Sequence, residues 1–190
     1  MAEDPGRTLV LFRHAKSAWP DVPDHDRPLA RRGIQAAPVM GRWLREAGFL
    51  PGQVLCSTAR RARETWQFAQ AGLAASPPVT FDVRIYEAAA TDLLVLIRQA
   101  SPATGTLLLI GHNPAIEDLA LLLAPPASGR AAASGGAGPG DVDRMRSKFP
   151  TAAIAVLESP GSWHDLAPGQ ARLTAFVTPR DLCAARAEGS

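Results

Sequence analysis

The stretch Thr106-Leu107-Leu108-Leu109-Ile110-Gly111-His112-Asn113-Pro114 contains the most hydrophobic strand-like run of the chain. A short, uninterrupted apolar run is typical of a strand that is buried on both faces. Asn113 is a favourable helix cap and Pro114 suits the first position of a helix, so a helix is expected from there to about Leu123. The stretch therefore predicts a strand, a tight turn and a helix, which is the building unit of an α/β protein.

Two earlier strands end in polar residues in the same way. Residues 8–12 form an apolar run that ends at Arg13-His14, and residues 54–56 form another that ends at Ser57. Periodicity and apolar runs predict the other elements, which are helices at about 30–47, 60–73 and 91–99, an extended segment at 79–86, and strands at 153–157 and 173–177. This alternation predicts a three-layer α/β/α sandwich with a mainly parallel central sheet.

The length of 190 residues is sufficient for one domain with a full hydrophobic core. We expect residues 1–190 to form that domain, with a flexible insertion rich in Ala, Gly and Pro at about 124–147. Residues 15–28, which contain three prolines, are expected to form a loop. The four tryptophans are expected to be packing residues rather than a stacking platform.

Composition excludes several classes of protein. The formal net charge of +2 shows no excess of basic residues, so nucleic acid is not an expected partner. No apolar run approaches the roughly 20 residues that cross a bilayer, so membrane insertion is not expected either. Cys56 and Cys183 are far apart in sequence and form no C-x-x-C pair, which favours reduced thiols and a cytoplasmic location.

Three groups of polar residues follow predicted strands, namely Arg13-His14, Ser57 with Arg61, and Gly111-His112. Ligands in open α/β sheets bind beyond the carboxyl ends of the strands, so we expect these groups to meet there. Arginine binds phosphate oxygens through two parallel hydrogen bonds, and a neutral imidazole can attack phosphorus. The pattern predicts a phosphoryl site with His14 as nucleophile, Arg13 and Arg61 as anion ligands, and His112 as a donor to the phosphoryl oxygens. No histidine pair or carboxylate cluster indicates a metal site, and no cofactor is expected.

These residues carry a resemblance to a known family. Arg13-His14, Arg61-Ala62-x-x-Thr65 and Gly111-His112 resemble the motifs of the histidine phosphatase superfamily, in the same order along the chain. Arg27-Pro28-Leu29 followed by Gly33, with no large inserted cap, resembles its SixA-type phosphohistidine phosphatases. The resemblance implies a phosphoglycerate mutase-like fold, a metal-independent phosphatase with a phospho-His14 intermediate, and a phosphorylated protein or small phosphorylated compound as substrate.

Two other branches of that superfamily fit less well. Its mutases carry Arg-His-Gly-Glu-Ser-x-x-Asn, whereas this chain has Ala15 after the first histidine and Pro20 in place of the asparagine, although Ser17 is kept. Its acid phosphatases carry His-Asp, whereas this chain has Asn113 after the second histidine. Ser17 and Asn113 are expected to contact substrate. Glu87, which follows the extended segment at 79–86, is the candidate general acid.

Two alternatives remain open at this point. The chain could be a catalytically silent module that binds phosphorylated proteins, although such a module needs no nucleophilic histidine. It could also be a phosphoglycerate mutase-like phosphotransferase, which Pro20 disfavours.

Overall fold

Strands and helices alternate along residues 6–124 and 140–188, the parts of the chain that the computed structural model describes. The strands are Arg7–Arg13 (β1), Gln53–Ser57 (β2), Val79–Asp82 (β3), Thr106–Gly111 (β4), Ile154–Ser159 (β5) and Arg172–Val177 (β6). The α-helices are Arg31–Glu46 (α1), Arg60–Leu73 (α2), Ala90–Arg98 (α3), Ala115–Leu123 (α4), Asp141–Ser147 (α5) and Pro179–Glu188 (α6).

The strands form one mixed sheet in the order β3-β2-β4-β1-β5-β6. Strands β3, β2, β4 and β1 are mutually parallel, whereas β5 runs antiparallel to β1 and β6 runs antiparallel to β5. The predicted fold class, a three-layer sandwich with a mainly parallel sheet, is therefore confirmed.

Successive side chains of a strand point to opposite faces of the sheet, so the hydrophobic core lies on both faces. Leu9 and Leu11 of β1 pack in the cluster that contains α3, α4 and α5. Val10 and Phe12 pack in the other cluster, which contains α1 and α2 and is flanked by α6. Because both faces are covered, β1 reads as a continuous apolar run rather than an alternating one.

Helices α1 and α2 pack with their backbones in contact at two glycines. A Cβ atom on Gly41 would lie 1.9 Å from the carbonyl oxygen of Ala69, and one on Gly72 would lie 2.0 Å from that of Pro38. Any side chain at either position would force the helices apart. The glycines thereby set the position of α2, whose first turn carries Arg61.

The secondary structure differs from the sequence prediction after β3 and at the end of the expected insertion. Only Val79–Asp82 of the segment expected to be extended is a strand, and Val83–Ile85 forms a 3-10 helix. The end of the expected insertion is helical, because α5 covers Asp141–Ser147 and buries Met145 in the core. Residues 125–139 of that insertion lie outside the described ranges. Among the described helices, none combines the length and hydrophobicity needed to cross a bilayer.

Candidate active site

The carboxyl ends of two adjacent parallel strands, β1 and β4, place the two predicted histidines side by side. Arg13, the last residue of β1, pairs with Gly111, the last residue of β4. The backbone N–H of His14 donates to the carbonyl oxygen of Gly111 at 2.9 Å. As a result, the ring centroids of His14 and His112 lie 5.0 Å apart. The predicted convergence of these strand ends is present in the fold.

His14 is held in one tautomer. Its side chain is buried, and Nδ1 lies 2.8 Å from the carbonyl oxygen of Ala15. A carbonyl can only accept, so Nδ1 carries the proton and Nε2 keeps its lone pair. Burial and the charges of Arg61, Arg13 and Arg27 lower the pKa of His14 to about 4, although the hydrogen bond to Ala15 opposes them. His14 is therefore a neutral imidazole with an unprotonated Nε2 at neutral pH.

His112 is also kept neutral. Burial is the largest cause that lowers its pKa to about 3, followed by the nearby His14 and Arg61. Its Nε2 lies 2.8 Å from the hydroxyl oxygen of Ser57, the buried last residue of β2. Its Nδ1 is buried and has no hydrogen-bond partner in the described part of the chain. Buried polar atoms normally have hydrogen-bond partners, so this nitrogen is a candidate to form a hydrogen bond with a bound substrate.

Arg61 reaches this edge of the sheet from the first turn of α2. The hydroxyl of Thr65 donates to the carbonyl oxygen of Arg61 at 2.6 Å and accepts the backbone N–H of Ala15 at 2.9 Å. Thr65 therefore joins the turn that carries Arg61 to Ala15, the residue next to His14. Arg61 itself is buried, and its positive charge is one cause of the low pKa values of both histidines.

Arg13 is less buried and has a backbone partner. Its Nη1 donates to the carbonyl oxygen of Phe149, while its Nε is buried without a partner among the described residues. Burial lowers the pKa of Arg13 and the negative charge of Glu117 raises it. Its charge also contributes to the low pKa values of the two histidines, which places it in the same electrostatic environment.

Sequence reasoning gave no site role to a carboxylate and an arginine on the loop that follows His14, although it noted the arginine as part of a motif. Asp24 accepts from Nη2 of Arg61 at 3.0 Å, from Nη1 of Arg27 at 2.8 Å and from the hydroxyl of Tyr86 at 2.7 Å. The hydrogen bonds from Tyr86 and Arg27 are the main causes that hold the pKa of Asp24 far below its ordinary value. The sequence signals were their position after His14, the three-residue spacing between Asp24 and Arg27, and the Arg27-Pro28-Leu29 motif, and none of these shows which way the loop folds.

The remaining predicted residues have different surroundings. The hydroxyl of Ser17 accepts from Nη2 of Arg27 at 2.8 Å, so Ser17 contacts the pocket through that arginine. Asn113 is not the helix cap, because Pro114 occupies that position and the side-chain amide of Asn113 donates to Glu117 at 2.7 Å. Glu87 follows Tyr86 in sequence and is exposed. The roles of Ser17, Asn113 and Glu87 in binding and proton transfer stay predictions.

Trp19 is not the packing residue that the sequence suggested. It is 78% exposed, and the guanidinium carbon of Arg27 lies 3.2 Å from the centroid of its ring.

No group of three or more His, Cys, Asp or Glu side chains is arranged to hold a metal ion within residues 6–124 and 140–188.

Comparison with known proteins assigns the chain to a family. Residues 9–98 match the profile of the histidine phosphatase superfamily (branch 1). A proposed phosphohistidine phosphatase SixA from Nakamurella multipartitia is 31% identical, with a TM-score of 0.79 over 92% of this chain and 96% of that one. The chain belongs to the histidine phosphatase superfamily, and this membership supports phosphatase activity.

Two further relatives agree with this assignment. A proposed SixA from Agrobacterium tumefaciens is 26% identical, with a TM-score of 0.71 over 91% of this chain and 98% of that one. An uncharacterized protein of Mycobacterium tuberculosis is 43% identical over 170 residues, which are 89% of this chain and 100% of that protein.

Proposed function

We propose that this protein is a metal-independent phosphatase that hydrolyses phosphohistidine in a protein, or a small phosphorylated compound, through a phospho-His14 intermediate. The observation that carries the proposal is the unprotonated Nε2 of a neutral His14, buried beside His112 and within the electrostatic influence of Arg61. A cytoplasmic location remains part of the proposal.

The proposed reaction has two displacements at phosphorus. In the first, the lone pair of His14 Nε2 forms a bond to phosphorus, and the bond from phosphorus to the leaving group breaks with its electron pair on the leaving atom. In the second, a water oxygen bonds to phosphorus, the N–P bond breaks with its pair returning to Nε2, and the water passes a proton to solvent as inorganic phosphate leaves. Arg13 and Arg61 would offset the charge on the phosphoryl oxygens in both steps, with little reorganisation because they are already held in place.

His112 would act as a hydrogen-bond donor to the same oxygens. When the Ser57 hydroxyl donates to Nε2, the proton of the neutral ring is on Nδ1, the atom that has no partner among the described residues. Binding of an anionic phosphoryl group would also favour protonation of His112, since a nearby negative charge raises the pKa of an imidazole.

The proton supply favours phosphohistidine as the substrate. An alkoxide leaving group needs a general acid, and Asp24, which is held as a carboxylate, cannot supply the proton. The exposed Glu87 is the one candidate donor that the sequence indicated, so an alkyl ester would depend on that side chain. A phosphoimidazole that is protonated on its second ring nitrogen leaves as neutral imidazole and needs no further proton. The SixA descriptions of the structural relatives are consistent with this substrate.

The decisive experiment is His14→Ala, assayed with a phosphohistidine peptide and with p-nitrophenyl phosphate. We expect turnover to be lost, together with the acid-labile phosphoryl label that the wild type acquires on rapid quenching. His164→Ala is the matched control, because His164 is exposed in a loop after β5. Turnover close to wild type in His14→Ala would refute the mechanism, and wild-type protein that binds phosphate without turnover would indicate a silent binding module. Transfer of phosphate between positions of phosphoglycerate would indicate a mutase.

A further inference from the structure

Asp24 is the residue on which the contacts of this pocket converge, although its backbone is not on the sheet. It begins the 3-10 helix Asp24–Asp26 in the loop after β1. Its carboxylate accepts hydrogen bonds from α2 through Arg61, from its own loop through Arg27, and from the segment after β3 through Tyr86. A single side chain thus connects three separate parts of the chain at the site.

The contact with Arg61 fixes the direction of the guanidinium. Nη1 of Arg61 donates to the backbone carbonyl oxygen of Asp24 at 2.6 Å, and Nη2 donates to Oδ2 of the same residue at 3.0 Å. Two bonds from one planar group to one residue allow little rotation. A guanidinium has more N–H donors than these two bonds use, so Arg61 is oriented while donors remain for a phosphoryl group.

The guanidinium of Arg27 is also fixed in direction by its hydrogen bonds. Arg27 is buried and is held by Asp24 through Nη1, by Ser17 through Nη2, and by the carbonyl oxygen of Ala18 through Nε. Its positive charge is among the causes that lower the pKa of His14. The negative charge of Asp24 therefore compensates the positive charges of two buried arginines at this site.

The carboxylate of Asp24 is exposed enough to remain charged, and its hydrogen bonds hold it in place. The side chain of Asp24 is 53% exposed, whereas those of Arg61 and Arg27 are 9% exposed. Tyr86 adds a hydrogen bond to Oδ2 and packs its ring edge-on against His112, with centroids 5.6 Å apart. The same carboxylate thus holds a ring that packs against His112 and the two arginines whose charges act on His14.

We propose that Asp24 is a positioning residue, which holds Arg61 and Arg27 in the orientation that receives the phosphoryl oxygens; this inference rests on the proposed function. Asp24 does not touch the reacting atoms. Its effect passes through the arginines, and above all through Arg61, with which it makes two hydrogen bonds.

A double-mutant cycle tests this coupling. We expect Asp24→Ala to lower kcat/KM by about 10²-fold, since small misplacements of a catalytic group have effects of that size. We expect Asp24→Ala to have a much smaller further effect when Arg61 is already replaced by alanine, because only the contact with Arg27 then remains to be lost. Asp24→Asn, which keeps one acceptor oxygen, should recover part of the loss.

The matched control is Asp26→Asn, which removes the same charge from the same 3-10 helix. Asp26 contacts only His25, at 3.6 Å, among the described ion pairs, so its replacement reports the effect of charge without loss of arginine orientation. Unfolding midpoints of all variants show whether a loss comes from the fold. Equal losses in Asp24→Asn and Asp26→Asn, or additive effects of Asp24→Ala and Arg61→Ala, would overturn the proposal.

Binding of orthovanadate separates this inference from the proposed function. We expect Asp24→Ala to bind orthovanadate more weakly than wild type and Asp26→Asn to bind it at least as tightly, whether or not the wild type turns over substrate. Tighter binding by Asp24→Ala would mean that the carboxylate competes with anions for Arg61, and would overturn the positioning role. Absence of turnover in wild type together with the expected binding pattern would remove the phosphatase while the role of Asp24 stands.

Discussion

The imidazole rings of His14 and His112 lie 5.0 Å apart, with their planes tilted by 52°. Burial is the largest cost of placing a charge on either ring, and two protonated rings this close would also repel each other and the neighbouring arginines. The pKa values of about 4 for His14 and about 3 for His112 follow from that environment. The pocket therefore keeps two imidazoles neutral where an exposed histidine would be partly charged.

The first prediction concerns the titration of His14. We expect the ring to remain neutral when the pH falls from neutrality to about 5, because its pKa is depressed below the ordinary 6.5. Arg61→Gln removes a positive charge and should move this pKa upwards. Imidazole chemical shifts followed by NMR across this pH range measure both effects.

Arg63→Gln is the control for this titration, since Arg63 lies on α2 like Arg61 but is exposed. It should leave the His14 titration close to that of wild type. A wild-type His14 that titrates near 6.5, or an equal shift in both variants, would contradict the electrostatic account.

The second prediction concerns Glu87 as general acid. We expect Glu87→Gln to slow hydrolysis of an alkyl phosphate more than hydrolysis of a phosphohistidine peptide, because only the alkoxide needs a proton donor. General acids contribute about 10²–10⁴-fold, so the ratio of the two kcat/KM values should change measurably. The same loss on both substrates would exclude an acid role that depends on the leaving group.

The third prediction concerns the contact between α1 and α2. We expect Gly41→Ala to destabilise the protein by at least about 1–3 kcal/mol, because the added Cβ would meet backbone rather than a flexible side chain. Activity should fall with stability, since α2 carries Arg61. Urea unfolding measures the first effect and kcat/KM the second.

Gly105→Ala provides the comparison for this variant. A Cβ on Gly105 would have no atom within 4 Å, so this substitution should leave stability almost unchanged. Comparable destabilisation of both variants would show that the close approach of the two helices is not the cause.

The sequence predicts the parts of this protein that depend on local pattern. Strands β1 and β4 are buried on both faces, so their apolar runs stand out, and helix α2 was predicted at residues 60–73, as observed. The meeting of His14 and His112 was also predictable, because parallel neighbouring strands end at one edge of the sheet.

The rest of the site depends on contacts between distant residues. The loop that carries Asp24 and Arg27 has no periodicity, and its path is set by hydrogen bonds to Arg61 and Tyr86. The exposure of Trp19 likewise depends on where the Arg27 guanidinium lies. A chain pattern records none of these contacts, so the arginine-binding carboxylate could not be inferred before the fold.

The main chain at His14 is secured from both sides, since its N–H donates to Gly111 and its carbonyl oxygen accepts from the N–H of Ala152. The backbone that carries Nε2 is thus held in place by hydrogen bonds on both sides. In the proposed reaction the phosphorus atom would therefore move towards Nε2 in the first step and away from it in the second. The loops around the pocket, rather than the strand that bears His14, would then accommodate the movement of each substrate.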